Sequence, residues 1–148
     1  EPLRLMNCAR ESLKRGIGAM KIGRPLVDWA KAVQGYVERE CGFHLVRGLG
    51  GHGYGKKLHG PPFVANVTPT TRAEWPDAWT LFRKGQLLAV EPMLAAGTAY
   101  IKASPKKGWP IYTADGSLAV HYEADILMTD EGPRDLTEGM QNLPDIVG

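Results

Sequence analysis

Two histidines, His52 and His59, lie in the stretch Gly50-Gly51-His52-Gly53-Tyr54-Gly55-Lys56-Lys57-Leu58-His59-Gly60-Pro61-Pro62, where most neighbours are glycine, proline or lysine. Glycines on both sides of His52 remove Cβ atoms, so the backbone is free to take positive φ and to approach a ligand closely. Neutral imidazoles presented in this way suit a zinc-, manganese-, iron- or cobalt-like ion, or a polarised carbonyl. Two acids farther along are out of place in their surroundings. Glu91 interrupts the apolar run Leu87-Leu88-Ala89-Val90, and Glu123 sits in Leu118-Ala119-Val120-His121-Tyr122-Glu123-Ala124. An acid in such a run faces a desolvation cost unless it is paired, protonated or bound to a cation. Each acid alone also reads as an edge-strand residue facing water, and for Glu123 by itself that is the better reading. Together with a glycine-framed imidazole they read as a metal site.

One histidine nitrogen and several carboxylate oxygens fit a divalent transition ion, and carboxylates also bridge ion pairs about 3.5–4 Å apart in two-metal hydrolases. Such a pair acidifies a water and polarises the carbonyl under attack. His52, Glu91 and Glu123 supply only three side chains, too few for two ions, so further ligands are expected from outside this chain.

The elements that must position these groups follow from periodicity. Leu5, Met6, Ala9, Leu13, Ile17 and Met20 recur at helical spacing, and Gly16, Gly18 and Gly23 are expected to weaken that helix's end. Pro25 suits the first turn of a second helix carrying Leu26, Trp29, Ala30, Val33 and Val37, with Gly42 as its terminator. Phe43 to Val46 reads as a short strand, with His44 a surface or half-buried residue. Phe63 to Asp77 reads as a long irregular loop. Strands are then expected at Leu87–Met93, Tyr100–Ala103 and Trp109–Thr113. Asp115-Gly116 marks a hairpin, and one long strand is expected over Leu118–Met128. Helices followed by mainly antiparallel strands argue for an α+β fold.

At 148 residues and 43% apolar, the chain is long enough for one core. Lysine plus arginine is 18 against 16 acids, so the net charge of +2 gives no field demanding nucleic acid or a membrane surface. The lysines at Lys56-Lys57 and Lys106-Lys107 read as solvated loops. Two cysteines, Cys8 and Cys41, make no framework, which places the chain in a reducing, cytoplasmic setting. No apolar run has the length of a membrane span. The chain begins at Glu1, which suggests a processed start or a piece of something longer.

Several blocks in one order carry a family resemblance. They are Gly51-His52-Gly53-Tyr54-Gly55 with Leu58-His59-Gly60-Pro61-Pro62, then Val90-Glu91-Pro92-Met93, then Trp109 through Asp115-Gly116. Tyr122-Glu123 followed by Met128-Thr129-Asp130-Glu131-Gly132-Pro133 completes the series. The series resembles the C-terminal half of type I methionine aminopeptidases, of the pita-bread metallohydrolase fold. The match runs from about Leu3 to Thr137. Residues 1–137 are therefore expected to form the C-terminal half of a catalytic domain, and residues 138–148 a tail.

The resemblance implies two divalent ions (cobalt, manganese, iron(II) or zinc), with His52 and Glu91 on one of them and Glu123 bridging both. His59 would hydrogen-bond the scissile peptide and stabilise the oxyanion, and Glu91 would also shuttle the proton. Trp109 and Leu58 would line the pocket for the methionine side chain; Leu58 stands where the family often has an aromatic residue. The substrate would be a peptide or nascent chain with a small second residue. The family's two aspartate ligands and a further catalytic histidine lie upstream of the first helix, so the implied partner is an N-terminal half. Asp115 and Asp125 do not fill the aspartate places, since both follow the histidine block. Ala124-Asp125 also replaces the family's usual His-Thr after Tyr-Glu, which alters support for Glu123. Aminopeptidase P and prolidase share the fold, but that branch usually has glycine after Glu-Pro, where this chain has Met93. A pita-bread binding module without catalysis is the reading from another class; such modules tend to lose the ligands retained here.

Overall fold

The computed structural model describes residues 1–102 and 110–144. Helix α1 spans Pro2–Ala19, and helix α2, Val27–Gln34, runs on into a π-helical turn at Gly35–Cys41. The turn ends at Gly42 with φ 72°, a left-handed conformation that glycine adopts without a Cβ clash. Gly16 does not end α1. A Cβ there would meet the Trp29 ring at 2.4 Å, so glycine at this position lets the two helices close on each other. Pro25 lies outside α2, in an isolated bridge with Leu81. Leu5, Ala9, Leu13, Leu26, Trp29 and Val33 are buried together, each leucine and valine side chain contributing about 1.5–3 kcal/mol through removal from water.

Among the described residues ten strands follow: β1 His44–Leu45, β2 Gly50–Gly53, β3 Gly60–Ala65, β4 Leu87–Val90, β5 Met93–Ala95, β6 Ile101–Lys102, β7 Tyr112–Thr113, β8 Ala119–His121, β9 Ala124–Thr129 and β10 Gly132–Asp135. They form a five-stranded sheet in the order β10-β9-β4-β2-β3, a three-stranded sheet β1-β5-β8, and the pair β6-β7. Every pairing is antiparallel. The α+β class holds, with both helices preceding the strands.

Besides Pro25, four expectations are corrected. Phe63 begins no loop; Gly60–Ala65 is the sheet-edge strand β3, where Pro61 and Pro62 can lack N–H donors without breaking an interior ladder. Leu87–Met93 is two strands in two different sheets, divided at Glu91-Pro92. Leu118–Met128 is likewise divided, at Tyr122-Glu123, between β8 and β9. Asp115-Gly116 does form a turn, Gly116 N–H donating to Thr113 O, but β7 pairs with β6 and β8 with β5, so no hairpin joins them.

Those two divisions are one structural event. β4 pairs with β9, and β5 with β8, so two neighbouring chains cross from one sheet to the other side by side. The ladder lapses at the crossing, apart from Tyr122 N–H donating to Pro92 O at 3.3 Å. Both glutamates sit there.

Candidate metal centre

Each group reaches the seam by a different route. His52 is on β2, opposite Phe63 of β3 and Ala89 of β4. Its flanking glycines serve a different purpose from the expected one. A Cβ on Gly51 would stand 2.1 Å from Ala89 O, and one on Gly53 would stand 2.1 Å from Pro61 O. Neither takes positive φ. They are glycines because the adjoining strands pass too close for a side chain, and that closeness holds His52 over the end of β4.

Glu91 follows β4 directly and is 8% exposed. Asn66 Nδ2 donates to its carbonyl at 2.7 Å, while Trp29 Nε1 donates to Asn66 Oδ1 at 3.3 Å. A buried polar chain thus runs from α2 to the seam. Asn66→Ala would leave a buried N–H and a buried carbonyl unsatisfied. The expected loss is about 2 kcal/mol of stability, read as a lowered midpoint in urea unfolding. An unchanged midpoint would mean that this chain of bonds does not hold Glu91.

The side chains converge. His52, Glu91 and Glu123 each offer a ligand atom, all within 4.8 Å of one another. Nε2 of His52 lies 3.4 Å from Glu91 Oε1. His52 Nδ1 faces Gly53 O at 3.1 Å, so that nitrogen is the N–H donor, and in the neutral tautomer Nε2 would turn its lone pair to the carboxylate. Two acceptors facing each other need a proton or a cation between them. Glu123 has its pKa raised, first by burial and then by the charge of Glu91. Neighbouring carboxylates that repel one another are stabilised by a shared cation.

The donor spacing also fits. Ligands about 2.0–2.2 Å from one ion in tetrahedral arrangement are about 3.4 Å apart. Imidazole plus carboxylate suits zinc, manganese, iron(II) or cobalt.

His121 is a participant the sequence reading missed. Its Nε2 is 3.3 Å from Glu91 Oε2 and 4.0 Å from Glu123 Oε2, and its pKa is raised, chiefly by the bond to Glu91. The available signal was its place two residues before Glu123 in the sequence.

His59 lies in the loop between β2 and β3. Its ring stands edge-on to His52, with centroids 4.6 Å apart and planes at 85°. Leu58 beside it is 66% exposed. Trp109 lies outside the described residues. A cavity of about 370 Å³ opens at the cluster, with His52, His59, Glu91 and His121 in its wall. Val46, Leu49, Met93, Leu94, Ile111 and Tyr112 form much of the remainder. A larger hollow of about 640 Å³ along β10 contains none of these groups.

Asp125 points to other work. Tyr54 Oη donates to its Oδ1 at 2.6 Å, which, with burial, raises the Tyr54 pKa and ties the β2–β3 loop to β9. Asp115 accepts from Ser117 N–H within its turn.

An imidazole and two carboxylates converging where two antiparallel sheets meet define a divalent-cation protein of the α+β class. Residues 1–130 match the metallopeptidase family M24, and the chain belongs to that family. The methionine aminopeptidase 1 of Mycobacterium tuberculosis is 41% identical over 140 residues, covering 91% of this chain and 50% of that protein. The crystal structure of methionine aminopeptidase from Rickettsia prowazekii superposes with a TM-score of 0.81 at 30% identity, covering 92% of this chain and 52% of that one. The prolidase of Pyrococcus horikoshii shares the fold, with a TM-score of 0.62 at 20% identity, covering 90% of this chain and 30% of that one. The fold is therefore the pita-bread arrangement, and the chain spans about half the length of the curated relatives it matches. Among the described residues no helix is long and apolar enough to cross a membrane.

Proposed function

We propose that this chain supplies one side of a dinuclear aminopeptidase site that removes the initiator methionine from peptides and nascent proteins with a small second residue, in the cytoplasm. The observation that carries the reading is the convergence of His52, Glu91 and Glu123 within 4.8 Å beside an apolar cavity. His52 and Glu91 would hold one ion, and Glu123 would bridge it to a second. Bound divalent ions acidify water near neutral pH and polarise a peptide carbonyl.

This chain's own residues then have distinct tasks. Glu91, low in exposure and lining the cavity, moves a proton from the attacking water towards the leaving amine. His59 presents an imidazole to the carbonyl oxygen as charge develops there. Met93, Leu94, Ile111 and Tyr112 give an apolar wall suited to a methionine side chain, with Leu58 and Trp109 retained as proposed pocket residues. The remaining ligands, two aspartates, come from an N-terminal half that packs against this chain. Exposed Tyr100, Tyr112 and Leu118 are apolar surface for it to cover.

The test mixes this chain with the corresponding N-terminal half of the Mycobacterium tuberculosis relative and follows methionine release from a Met-Ala-Ser peptide. Activity is expected only in the mixture; chelation with EDTA abolishes it and manganese, cobalt or iron(II) restores it. A folded mixture inactive with all three ions would support a binding module instead.

A further inference from the structure

Glu91 is approached from both sides. His52 Nε2 stands 3.4 Å from its Oε1 and His121 Nε2 stands 3.3 Å from its Oε2. We propose that His121 is a fourth metal ligand, so that this chain alone offers two imidazoles and two carboxylates to one divalent ion. The inference rests on the metal reading of His52, Glu91 and Glu123 above.

The topology delivers His121 to this place. It ends β8 opposite Met93, two residues beyond Glu91 on the partner strand, just before both strands cross the seam. Glu123, two positions on and past the end of β8, has its Oε2 4.0 Å from His121 Nε2. His121 Nε2 stands 3.3 Å from Glu91 and 4.0 Å from Glu123, either side of the roughly 3.4 Å that separates ligands on a tetrahedral ion. The group already within 4.8 Å is His52, Glu91 and Glu123, so the His121 ring must swing inward to share their ion. The His121 side chain is 47% exposed, so the ring has freedom to complete the approach to a common ion without moving the backbone.

Ligand number gives the proposal its consequence. Stable zinc sites built wholly from protein have four donors, whereas three leave a position open. With His121 the chain reaches four and needs no aspartate from elsewhere to hold its first ion. The competing role for His121 is a hydrogen bond that merely steadies Glu91. Glutamine in its place can still donate to a carboxylate but is a poor ligand for zinc, so one substitution separates the two roles.

Zinc is titrated by calorimetry into the metal-free protein and into His121→Gln, His52→Ala and His44→Gln, each checked for folding by circular dichroism. Cobalt(II) absorption in the visible reports coordination. One zinc per chain is expected for the unaltered protein. Affinity should fall by at least about tenfold in His121→Gln, as loss of a direct ligand should cost no less than loss of a residue supporting one. The cobalt band should weaken alongside it, and His44→Gln should bind as the unaltered protein does. Equal zinc affinity and an equal cobalt spectrum in His121→Gln would overturn the proposal. If His52→Ala abolishes binding while His121→Gln leaves it intact, His121 alone is misassigned. If neither substitution matters, the metal reading of the whole cluster falls with it.

Discussion

Glu123→Ala is expected to lower kcat/KM of the reconstituted protein at least about a thousandfold, roughly 4 kcal/mol of transition-state stabilisation. Glu123 enters the cluster from the β8–β9 crossing, and its carboxylate is the group assigned to bridge two ions. Its removal would take away a ligand and a negative charge from the place where it would hold the ions. Asp125→Ala, two residues away, should cost less than about tenfold. Its carboxylate accepts from Tyr54, and its removal loosens the β2–β3 loop without removing a ligand. That contrast is informative because both are acids on the same chain segment. Equal losses in steady-state assays would mean that the ligands have been assigned to the wrong residues.

The largest expected effect on stability comes from a single methyl group. Gly51→Ala places a Cβ 2.1 Å from Ala89 O and 3.1 Å from Val90 Cα, both backbone atoms of the central strand β4. No rotamer change can relieve such a clash, so β2 and β4 must part, at a cost of about 3 kcal/mol or more. The same movement carries His52 away from Glu91, so divalent-ion binding should be lost with stability. Gly55→Ala is the matched control. Nothing lies within 4 Å of its added Cβ and its φ is not positive, so its unfolding midpoint should shift by no more than about 0.5 kcal/mol. Similar midpoints for the two variants in urea would contradict the close approach of these strands.

The helices were legible because their burial is local. Leu5, Ala9 and Leu13 share one face of α1, and Gly42 takes the left-handed φ that its position after Cys41 implied. The three converging side chains were legible for a chemical reason: acids in apolar runs, and an imidazole between glycines, each need an explanation. The seam was not legible. Leu87 to Met93 reads as one apolar run, and only pairing with residues far along the chain decides that β4 and β5 belong to different sheets. The same holds for Asp115-Gly116, whose turn chemistry is local while its flanking strands find partners elsewhere. Phe63 to Asp77 read as a loop although its first residues close β3, an edge strand that tolerates Pro61 and Pro62 where an interior strand would not. His121 was passed over because, with the run read as one unbroken strand, it was only another alternating residue. Its significance appears once the chain bends after it. The glycines around His52 were correctly marked as unusual, but the tight neighbour is protein backbone on β4 and β3.

The most direct measurement is an anomalous difference map from crystals of the protein soaked in manganese(II). A peak is expected about 2.0–2.3 Å from His52 Nε2 and from carboxylate oxygens of Glu91 and Glu123, distances set by first-row divalent ions with such ligands. A map in which manganese binds elsewhere, or in which these three side chains point apart with no density between them, would contradict the shared-ion site.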